Sequence, residues 1–202
     1  MKVTLIDYGA GNVASVERAL QKLGAESARA TTTECLRNAE ALILPGVGHF
    51  AALIRALDDR RLRAPLLEAL RRGVCFLGIC LGLHALYESS EEAPDLVGLQ
   101  LFPEKIRILP ANVKLPHMGW NQLRLTSRSR LLEGVDPDAY FYFAHSYAVA
   151  VNGRAPAVAT CTHGSEFVAV LEQKNINAVQ FHPEKSGAAG AQVLSNFLRL
   201  AQ

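Results

Sequence analysis

A nucleophile between two glycines, at the point where an apolar strand gives way to a helix, constrains the fold of this chain more than any other feature. Residues 74–77 are apolar without interruption and predict a buried parallel strand, whereas the spaced apolar residues of 83–87 predict a helix. Cys80 lies at this junction between Gly78 and Gly82, which is the pattern of a nucleophile elbow. Because the glycines let strand and helix approach closely, we expect a strained backbone that directs the Cys80 sulfur out of the sheet.

The surroundings of Cys80 leave its role open at this point. A helix that begins just after it would direct backbone N–H groups and a partial positive charge at the sulfur, which favours the thiolate. A free cysteine between apolar residues is, however, equally typical of a small buried hydrophobe. The rest of the sequence is needed to distinguish a catalytic nucleophile from a buried core residue at Cys80.

Strands and helices alternate through the first half of the sequence. Alternation at short connection lengths predicts right-handed βαβ units and a parallel sheet that has helices on both faces. Strands are predicted at 3–6, 25–30 and 41–44, ahead of the strand at 74–77. Four helices are predicted before that strand: one capped by Asn12 and ended by Gly24, one with capping-box spacing at 31–34, and two at 49–57 and 65–72.

The pattern changes after Glu88. An acidic loop at 89–94 precedes short apolar runs separated by turn residues, which predict antiparallel strands added to the parallel core. The predicted fold is therefore α/β, with a mostly parallel central sheet, helices on both faces and added antiparallel strands, in a single domain over residues 1–202. The later strands are predicted at 105–109, 123–125, 140–143, 147–151, 157–160, 167–171 and 177–181, and a closing helix at 191–200.

Composition excludes several classes of function. The formal net charge of +2, without a run of Lys or Arg, gives no electrostatic reason to expect a nucleic acid partner. No apolar stretch is long enough to cross a bilayer, and the first residues enter a strand without the features of a signal peptide. We therefore expect no membrane partner and a cytoplasmic location. The four cysteines lack paired spacing, and the histidines and acids lack ligand spacing, so we expect no disulfide, metal or cofactor.

A second candidate group lies near the end of the chain. His182-Pro183-Glu184 follows a predicted strand, at the place where open α/β sheets bind ligands. His182 would accept the thiol proton of Cys80 and return it to a leaving group, while Glu184 would orient the imidazole and stabilise its charged form. A solvated histidine beside a solvated acid fits a single His-Pro-Glu sequence equally well.

A third candidate group is the Pro-Gly-Val-Gly sequence at 45–48, which also follows a predicted strand. Gly46 and Gly48, on either side of Val47, let its peptide turn so that the N–H points at a ligand and donates to a developing oxyanion. A plain tight turn is the simpler interpretation of these four residues when they are considered alone.

The three groups together resemble the class I glutamine amidotransferase family, whose pattern has Pro-Gly-x-Gly, Gly-x-Cys-x-Gly and a late His-Pro-Glu in this order. The match extends over nearly the whole chain. The resemblance implies a flavodoxin-like α/β fold and a reaction in which Cys80 attacks the side-chain amide of glutamine, forms a glutamyl thioester and releases ammonia. It implies that His182 is the acid and base and that Glu184 orients it. Backbone N–H groups of Leu81 and Val47 would hold the oxyanion.

Four further stretches resemble one branch of that family, the glutaminase subunit of imidazole glycerol phosphate synthase in histidine biosynthesis. They are residues 7–12, 116–121, 145–147 and 182–186, and the His-Met-Gly-Trp-Asn sequence at 117–121 is the most specific. In that branch the glutaminase binds a (β/α)₈-barrel subunit that uses the ammonia, so a heterodimer is expected. The resemblance implies partner contacts at Asn12, Trp120 and Lys185, and glutamine contacts at Gly46, Gly48, His84, Glu92, His145 and Ser146.

One position departs from the family pattern. The family usually has glutamine four residues after the nucleophile, where this chain has His84. One helical turn after Cys80, that side chain is expected to reach the backbone end of bound glutamine. Imidazole keeps a donor and an acceptor but is shorter and more rigid than the amide, so we expect the substitution to affect KM more than kcat.

Three alternatives stay open. A glutaminase for another synthase, in the anthranilate or pyridoxal phosphate pathway, would share the reaction but lack the sequence at 117–121. A nucleotide-binding protein would use residues 9–14, which satisfy G-x-G-x-x-G/A after a strand, with Glu34 downstream, although Glu34 is better explained as a helix-capping residue. A fold that binds glutamine without turnover is compatible with His84, although the three intact catalytic positions argue against it.

Overall fold

The computed structural model describes residues 2–9, 12–151 and 156–202 of the 202-residue chain. A 3-10 turn at Pro183–Lys185 precedes the last helix. In chain order the helices and strands are β1 (Lys2–Ile6), α1 (Val13–Lys22), β2 (Glu26–Ala30), α2 (Thr33–Arg37), β3 (Ala41–Gly46), α3 (Phe50–Asp59), α4 (Arg63–Arg71), β4 (Cys75–Cys80), α5 (Leu81–His84), β5 (Tyr87–Ser90), β6 (Phe102–Ile108), β7 (His117–Gln122), β8 (Arg124–Leu125), β9 (Tyr140–His145), β10 (Tyr147–Val149), β11 (Ala157–His163), β12 (Ser165–Gln173), β13 (Ile176–Val179) and α6 (Gly187–Leu200).

An eight-stranded sheet forms the centre of the fold, in the order β2-β1-β3-β4-β13-β12-β11-β8. Neighbouring strands from β2 to β13 are parallel, and β12, β11 and β8 continue the sheet in antiparallel pairs. This arrangement confirms the predicted α/β fold with a mostly parallel sheet. Because β4 and β13 are parallel neighbours, the residues that follow these two strands meet at the same edge of the sheet.

Helices cover both faces of the sheet, as the alternation of strands and helices predicted. Side chains of α1 and α6 pack with Ile43 and Ile79 on one face, and side chains of α2, α3 and α4 pack with Leu42 and Leu44 on the other. Neighbouring residues of β3 therefore point to opposite faces that are both buried. This explains why β3 is apolar throughout and does not alternate with polar residues.

The region after the elbow differs from its prediction. The helix predicted at 83–87 ends at His84, and the first residues of the predicted acidic loop belong to the strand Tyr87–Ser90. Tyr87 pairs in register with Phe102 of β6, and β5, β6 and β10 form a separate three-stranded sheet. Pairing with a strand further along the chain therefore overrides the local helical pattern.

Strand β7 was not predicted from the sequence. It contains Gly119 and Asn121, which strands disfavour, and Gly119 has a φ of +136°. It pairs with β9 along its whole length, from His117 opposite His145 to Gln122 opposite Tyr140. This two-stranded pairing stabilises an extended conformation that the residue types alone do not indicate.

Two predicted helix caps are wrong. Asn12 occupies the N-cap position of α1, and Thr32, not the predicted Thr31, occupies that of α2, but neither side chain caps its helix. The Asn12 side chain donates to Glu184 instead, and the Thr32 hydroxyl contacts Cys35. The capping box predicted at 31–34 therefore does not form.

Residues 10 and 11 of the alternative nucleotide-binding pattern lie outside the described residues. Within the ranges 2–9, 12–151 and 156–202, none of the helices combines the length and the apolar character that crossing a membrane requires. The same ranges contain no group of three or more His, Cys, Asp or Glu side chains that could hold a metal ion.

Candidate active site

Cys80 is the last residue of β4 and lies at the sharp turn into α5. Its φ of +53° is in the left-handed region, which a residue with a side chain disfavours, so the predicted backbone strain is confirmed. The flanking glycines are sterically required. A Cβ on Gly82 would lie 1.9 Å from the Leu44 carbonyl oxygen, and one on Gly78 would lie 2.7 Å from the Gly82 carbonyl oxygen.

The helix after Cys80 is shorter than the sequence predicted. It has four residues, Leu81–His84, so its partial positive charge at the sulfur is smaller than a longer helix would supply. The N–H of Leu81 is in the first turn, where N–H groups have no partner within the helix. This one-turn helix is therefore a weak source of positive charge at the sulfur.

His182 and Glu184 follow β13, the parallel neighbour of β4. His182 Nδ1 lies 2.9 Å from Glu184 Oε1, and the two side chains are 2 % and 0 % exposed. Burial lowers the pKa of His182, but hydrogen bonds and negative charge from Cys80 and Glu184 outweigh burial and raise the pKa to about 10. The structure thus brings the three predicted catalytic residues together in a buried group, in which His182 lies between Cys80 and Glu184 in its interactions.

Asn12 contacts the same group. Its Nδ2 donates to Glu184 Oε1 at 3.0 Å, whereas Glu184 Oε2 has no hydrogen-bond partner among the described residues. Sequence reasoning missed this bond because 172 residues separate the two side chains. Asn12 is also half-buried, and its predicted contact with a partner subunit stays a prediction.

The Pro-Gly-Val-Gly turn at 45–48 lies beside Cys80. Gly46 pairs in register with Cys80 between β3 and β4, and a Cβ on Gly46 would meet the Leu81 Cβ at 2.6 Å. Gly48 has a φ of +95°, which glycine adopts readily and other residues do not. This close approach places the backbone around Val47 and Leu81 next to the nucleophile, where the two oxyanion donors were predicted.

A cavity of about 150 Å³ lies in front of Cys80. Glu92 lies on its wall and accepts the N–H of Phe50 at 2.7 Å through Oε2. His145 donates from Nδ1 to the Tyr147 carbonyl oxygen at 2.9 Å, and burial holds the pKa of His145 well below its ordinary value. Of the predicted glutamine-binding residues, Gly48, His84, Glu92, His145 and Ser146 line this cavity.

His84 makes a contact that the sequence did not predict. Its Nε2 lies 2.7 Å from Gln180 Oε1, and Gln180 Nε2 donates to Cys80 Sγ at 3.6 Å. Burial lowers the pKa of His84 to about 4, against the opposing effect of the hydrogen bond to Gln180. Its contact with bound glutamine stays a prediction. Sequence reasoning missed Gln180, although its position at a strand end just before the His182 motif was a usable signal.

Comparison with known proteins assigns the family. The family model described as glutamine amidotransferase class-I matches residues 4–201. This chain belongs to the class I glutamine amidotransferases. It is 46% identical over 198 residues to a protein of Methanothermobacter thermautotrophicus named imidazole glycerol phosphate synthase subunit HisH, covering 98% of each chain. The protein of that name from Deinococcus radiodurans is 44% identical over 200 residues, covering 98% of this chain and 93% of the relative.

Solved structures share the fold of this amidotransferase. A crystal structure described as a glutamine amidotransferase matches it with a TM-score of 0.78 at 19% sequence identity, covering 98% of both chains. The structure of PurLQS from Thermotoga maritima also matches with a TM-score of 0.78 at 19% identity, covering 100% of this chain and 99% of the other. These matches confirm the predicted amidotransferase-like architecture.

The two-stranded sheet of this amidotransferase presents an exposed aromatic surface, which we call the β7–β9 face and define by Met118, Trp120, Tyr140 and Tyr142. Trp120 is 56 % exposed, so it is not a buried core residue, and Met118 and Tyr140 are exposed with it. Tyr142 pairs with Trp120 across the strands, and Lys185 Nζ lies 5.5 Å from the centre of the Tyr142 ring. The third predicted partner contact, Lys185, therefore lies beside this face.

A pair of buried histidines connects β7 of the amidotransferase to its cavity. His117 Nδ1 lies 3.1 Å from His145 Nε2. Because His145 Nδ1 donates to Tyr147, its Nε2 is the acceptor and His117 is the donor. Burial and the neighbouring charge of His163 lower the pKa of His117 to about 4. The pair is therefore neutral, and sequence reasoning did not predict it.

Proposed function

We propose that this chain hydrolyses glutamine to glutamate and ammonia through a thioester at Cys80, as the glutaminase subunit of imidazole glycerol phosphate synthase in histidine biosynthesis. Membership of the class I amidotransferases supports the reaction, and the relatives named as subunits of that synthase support the pathway. The observation that carries the proposal is the buried group of Cys80, His182 and Glu184 beside a cavity of about 150 Å³. The proposal includes a cytoplasmic location and a single domain over residues 1–202.

In the first step, the Cys80 thiolate attacks the side-chain amide carbon of glutamine and forms an S–C bond. The His182 imidazolium donates its proton to the amide nitrogen, the C–N bond breaks, and ammonia leaves a glutamyl thioester behind. Glu184 keeps the imidazole oriented through this transfer. The raised pKa of His182 supports this step, because the resting pair then holds both the nucleophile and the proton that the leaving group needs.

In the second step, water attacks the thioester carbonyl and gives its proton to neutral His182. The S–C bond breaks, Cys80 leaves as a thiolate, and glutamate is released. The oxyanion that forms in each step would accept hydrogen bonds from the N–H groups of Leu81 and Val47. Each such donor contributes about 10²–10³ in rate, so the orientation of the Val47 peptide has a large effect on turnover.

The Val47 peptide offers a means of control by a partner. With its carbonyl directed at Cys80, the site would lack the second oxyanion donor, and the isolated chain would be a slow glutaminase. Val47 is 39 % exposed and lies between two glycines, which supports a rotation of its peptide without repacking of the core. A barrel subunit that binds the flipped state more tightly would then activate the site.

The β7–β9 face is the proposed contact surface for the (β/α)₈-barrel subunit. Exposed aromatic and Met side chains supply the kind of apolar contact that is enriched at the centre of interfaces. Lys185 lies beside this face and also lines the catalytic cavity, and Asn12 contacts the catalytic group directly. A partner bound here would adjoin the site at which ammonia is released.

The test is glutamate release by the chain alone, with the barrel subunit, and with the barrel subunit and its nucleotide ligand. We expect slow turnover alone and a rise of about 10²–10³ with both additions, because one oxyanion donor is gained. The Cys80→Ser variant, measured in the same complex, is expected to release no glutamate above background. Near wild-type activity of that variant would contradict the reaction, and full activity of the chain alone would contradict the control by the partner.

A further inference from the structure

We infer that Gln180 is a further catalytic residue, whose side-chain amide stabilises the Cys80 thiolate, and that His84 is a positioning residue that orients this amide. The inference rests on the proposed glutaminase reaction and deepens it. Its basis is a continuous series of contacts, 2.7 Å from His84 Nε2 to Gln180 Oε1 and 3.6 Å from Gln180 Nε2 to Cys80 Sγ.

Strand register places Gln180 beside the nucleophile. Val179, the last residue of β13, pairs with Ile79, so the residue after it lies level with Cys80 at the carboxyl edge of the sheet. The backbone N–H of Gln180 donates to the Ala169 carbonyl oxygen at 2.9 Å, and its side chain is fully buried. Both the backbone and the surroundings therefore hold the amide at the sulfur.

His84 determines which end of the Gln180 amide faces the sulfur. An amide has an oxygen end and an NH₂ end of nearly the same shape, so packing alone does not choose between them. Burial lowers the pKa of His84 to about 4, and the imidazole is neutral at pH 7. With Nε2 at 2.7 Å from the amide oxygen, the attractive arrangement has the proton on Nε2. His84 thus binds the oxygen end, and the NH₂ end is directed at Cys80.

An N–H donor at the sulfur favours the thiolate over the thiol, because a hydrogen bond to a charged acceptor is stronger than one to a neutral acceptor. The donor acts twice in the proposed reaction: it increases the fraction of thiolate before attack, and it stabilises the thiolate that leaves when the thioester is hydrolysed. It supplements the one-turn helix after Cys80, whose partial charge is small. The titratable groups around this series of contacts are His182, His145 and Tyr8, whose charge interacts with that of Cys80. Glu92 and Lys185 line the same cavity.

The pH profile of Cys80 alkylation tests the inference without requiring glutamine turnover. Wild type, Gln180→Leu and His84→Leu, each in complex with the barrel subunit, are treated with iodoacetamide between about pH 5 and about pH 9, and the Cys80 peptide is quantified by mass spectrometry. We expect the midpoint of the Gln180→Leu profile to lie about one pH unit higher, with alkylation about tenfold slower below it. His84→Leu is expected to give a smaller rise in the same direction, and His84→Gln, which again offers a donor to the Gln180 oxygen, is expected to reverse it.

A matched control is Gln192→Leu, the same change on α6, where the side chain donates to Asn196. Its profile is expected to coincide with that of wild type. In glutamate release, Gln180→Leu is expected to lower kcat about tenfold and to change KM less than about threefold, because the amide contacts the nucleophile. If circular dichroism shows that Gln180→Leu does not fold, Gln180→Met is measured by the same criteria.

A Gln180→Leu profile that coincides with wild type would overturn the inference. In that case, loss of glutamate release in Cys80→Ser leaves the proposed function intact. A wild-type complex that releases no glutamate with the barrel subunit and its ligand would overturn the proposed function, and with it the inference.

Discussion

Asn12 donates a hydrogen bond to Glu184 across 172 residues of sequence, with 3.0 Å between Nδ2 and Oε1. The same carboxylate oxygen lies 2.9 Å from His182 Nδ1, so one atom holds both the imidazole and the amide. Because Asn12 precedes α1 and Glu184 follows β13, this bond links the first crossover of the sheet to the catalytic group. A residue predicted as a helix cap and as a partner contact thus touches the orienting carboxylate.

Asn12→Ala is expected to lower kcat about tenfold, because a hydrogen bond to a charged group contributes about 1.5 kcal/mol and its loss frees the carboxylate that orients His182. KM should change little, since Asn12 does not line the glutamine cavity. Ser15→Ala, in the first turn of α1, is the control, because it removes a hydroxyl whose one side-chain hydrogen bond among the described residues comes from Arg18. Steady-state glutamate release measures both variants, and an equal loss of kcat in Ser15→Ala would contradict a specific role for Asn12.

Gly82→Ala is expected to lower the free energy of unfolding by about 3 kcal/mol, because the added Cβ would lie 1.9 Å from the Leu44 carbonyl oxygen and would push α5 away from β3. Gly24→Ala is the control, because Gly24 has a φ of +74° with open space around it. This variant introduces backbone strain without a steric clash. Gly24→Ala should lower the free energy of unfolding by about 1 kcal/mol. Urea unfolding of both variants checks the difference, and equal losses would mean that close approach does not determine the need for glycine at the elbow.

The pH dependence of stability should be weaker in His84→Gln. Burial lowers the pKa of His84 to about 4, below the value near 6.5 of a histidine in an unfolded chain. Between these values the unfolded chain binds a proton that the folded chain does not, so the free energy of unfolding falls as the pH falls. Glutamine does not titrate. For each pH unit of acidification, the free energy of unfolding of the variant should therefore fall by up to about 1.4 kcal/mol less than that of wild type. Urea unfolding from about pH 7 to about pH 5 compares the slopes, and equal slopes would contradict a neutral buried His84.

Trp120→Ala is expected to weaken binding of the barrel subunit at least about tenfold, because exposed tryptophans at interface centres carry much of the binding energy. Turnover of the isolated chain should not change, since Trp120 does not line the cavity. Leu125→Ala removes an equally exposed apolar side chain from β8 and should bind the barrel subunit normally. Titration calorimetry with the barrel subunit distinguishes them, and unaltered binding by Trp120→Ala would place the contact elsewhere.

The parts of the site that follow strand ends were predictable from the sequence. Gly-x-Cys-x-Gly and His-Pro-Glu each follow an apolar run, and parallel neighbours bring such ends together, so Cys80 and His182 meet as a consequence of the sheet. The steric need for glycine at the elbow was likewise visible from the motif.

Contacts between side chains that are distant in sequence were not predictable in this way. The partners of Gln180 and Asn12 depend on the register of strands and the packing of a helix, which no spacing rule specifies. Strand β7 was missed because pairing with β9, and not residue propensity, makes it extended. The short length of α5 was missed because the pairing of Tyr87 with Phe102 overrides a helical pattern.

The most direct test of Cys80 as the glutamine nucleophile is to trap the intermediate. The complex with the barrel subunit and its ligand is mixed with glutamine, quenched in acid within the first turnovers and analysed by peptide mass spectrometry. The expected result is a glutamyl adduct on the peptide that contains Cys80 and none on those of Cys35, Cys75 or Cys161, with no adduct when hydroxylamine is added, because it cleaves thioesters. Glutamate release by a complex whose Cys80 carries no adduct at any time, or an adduct on another cysteine, would contradict nucleophilic attack by Cys80.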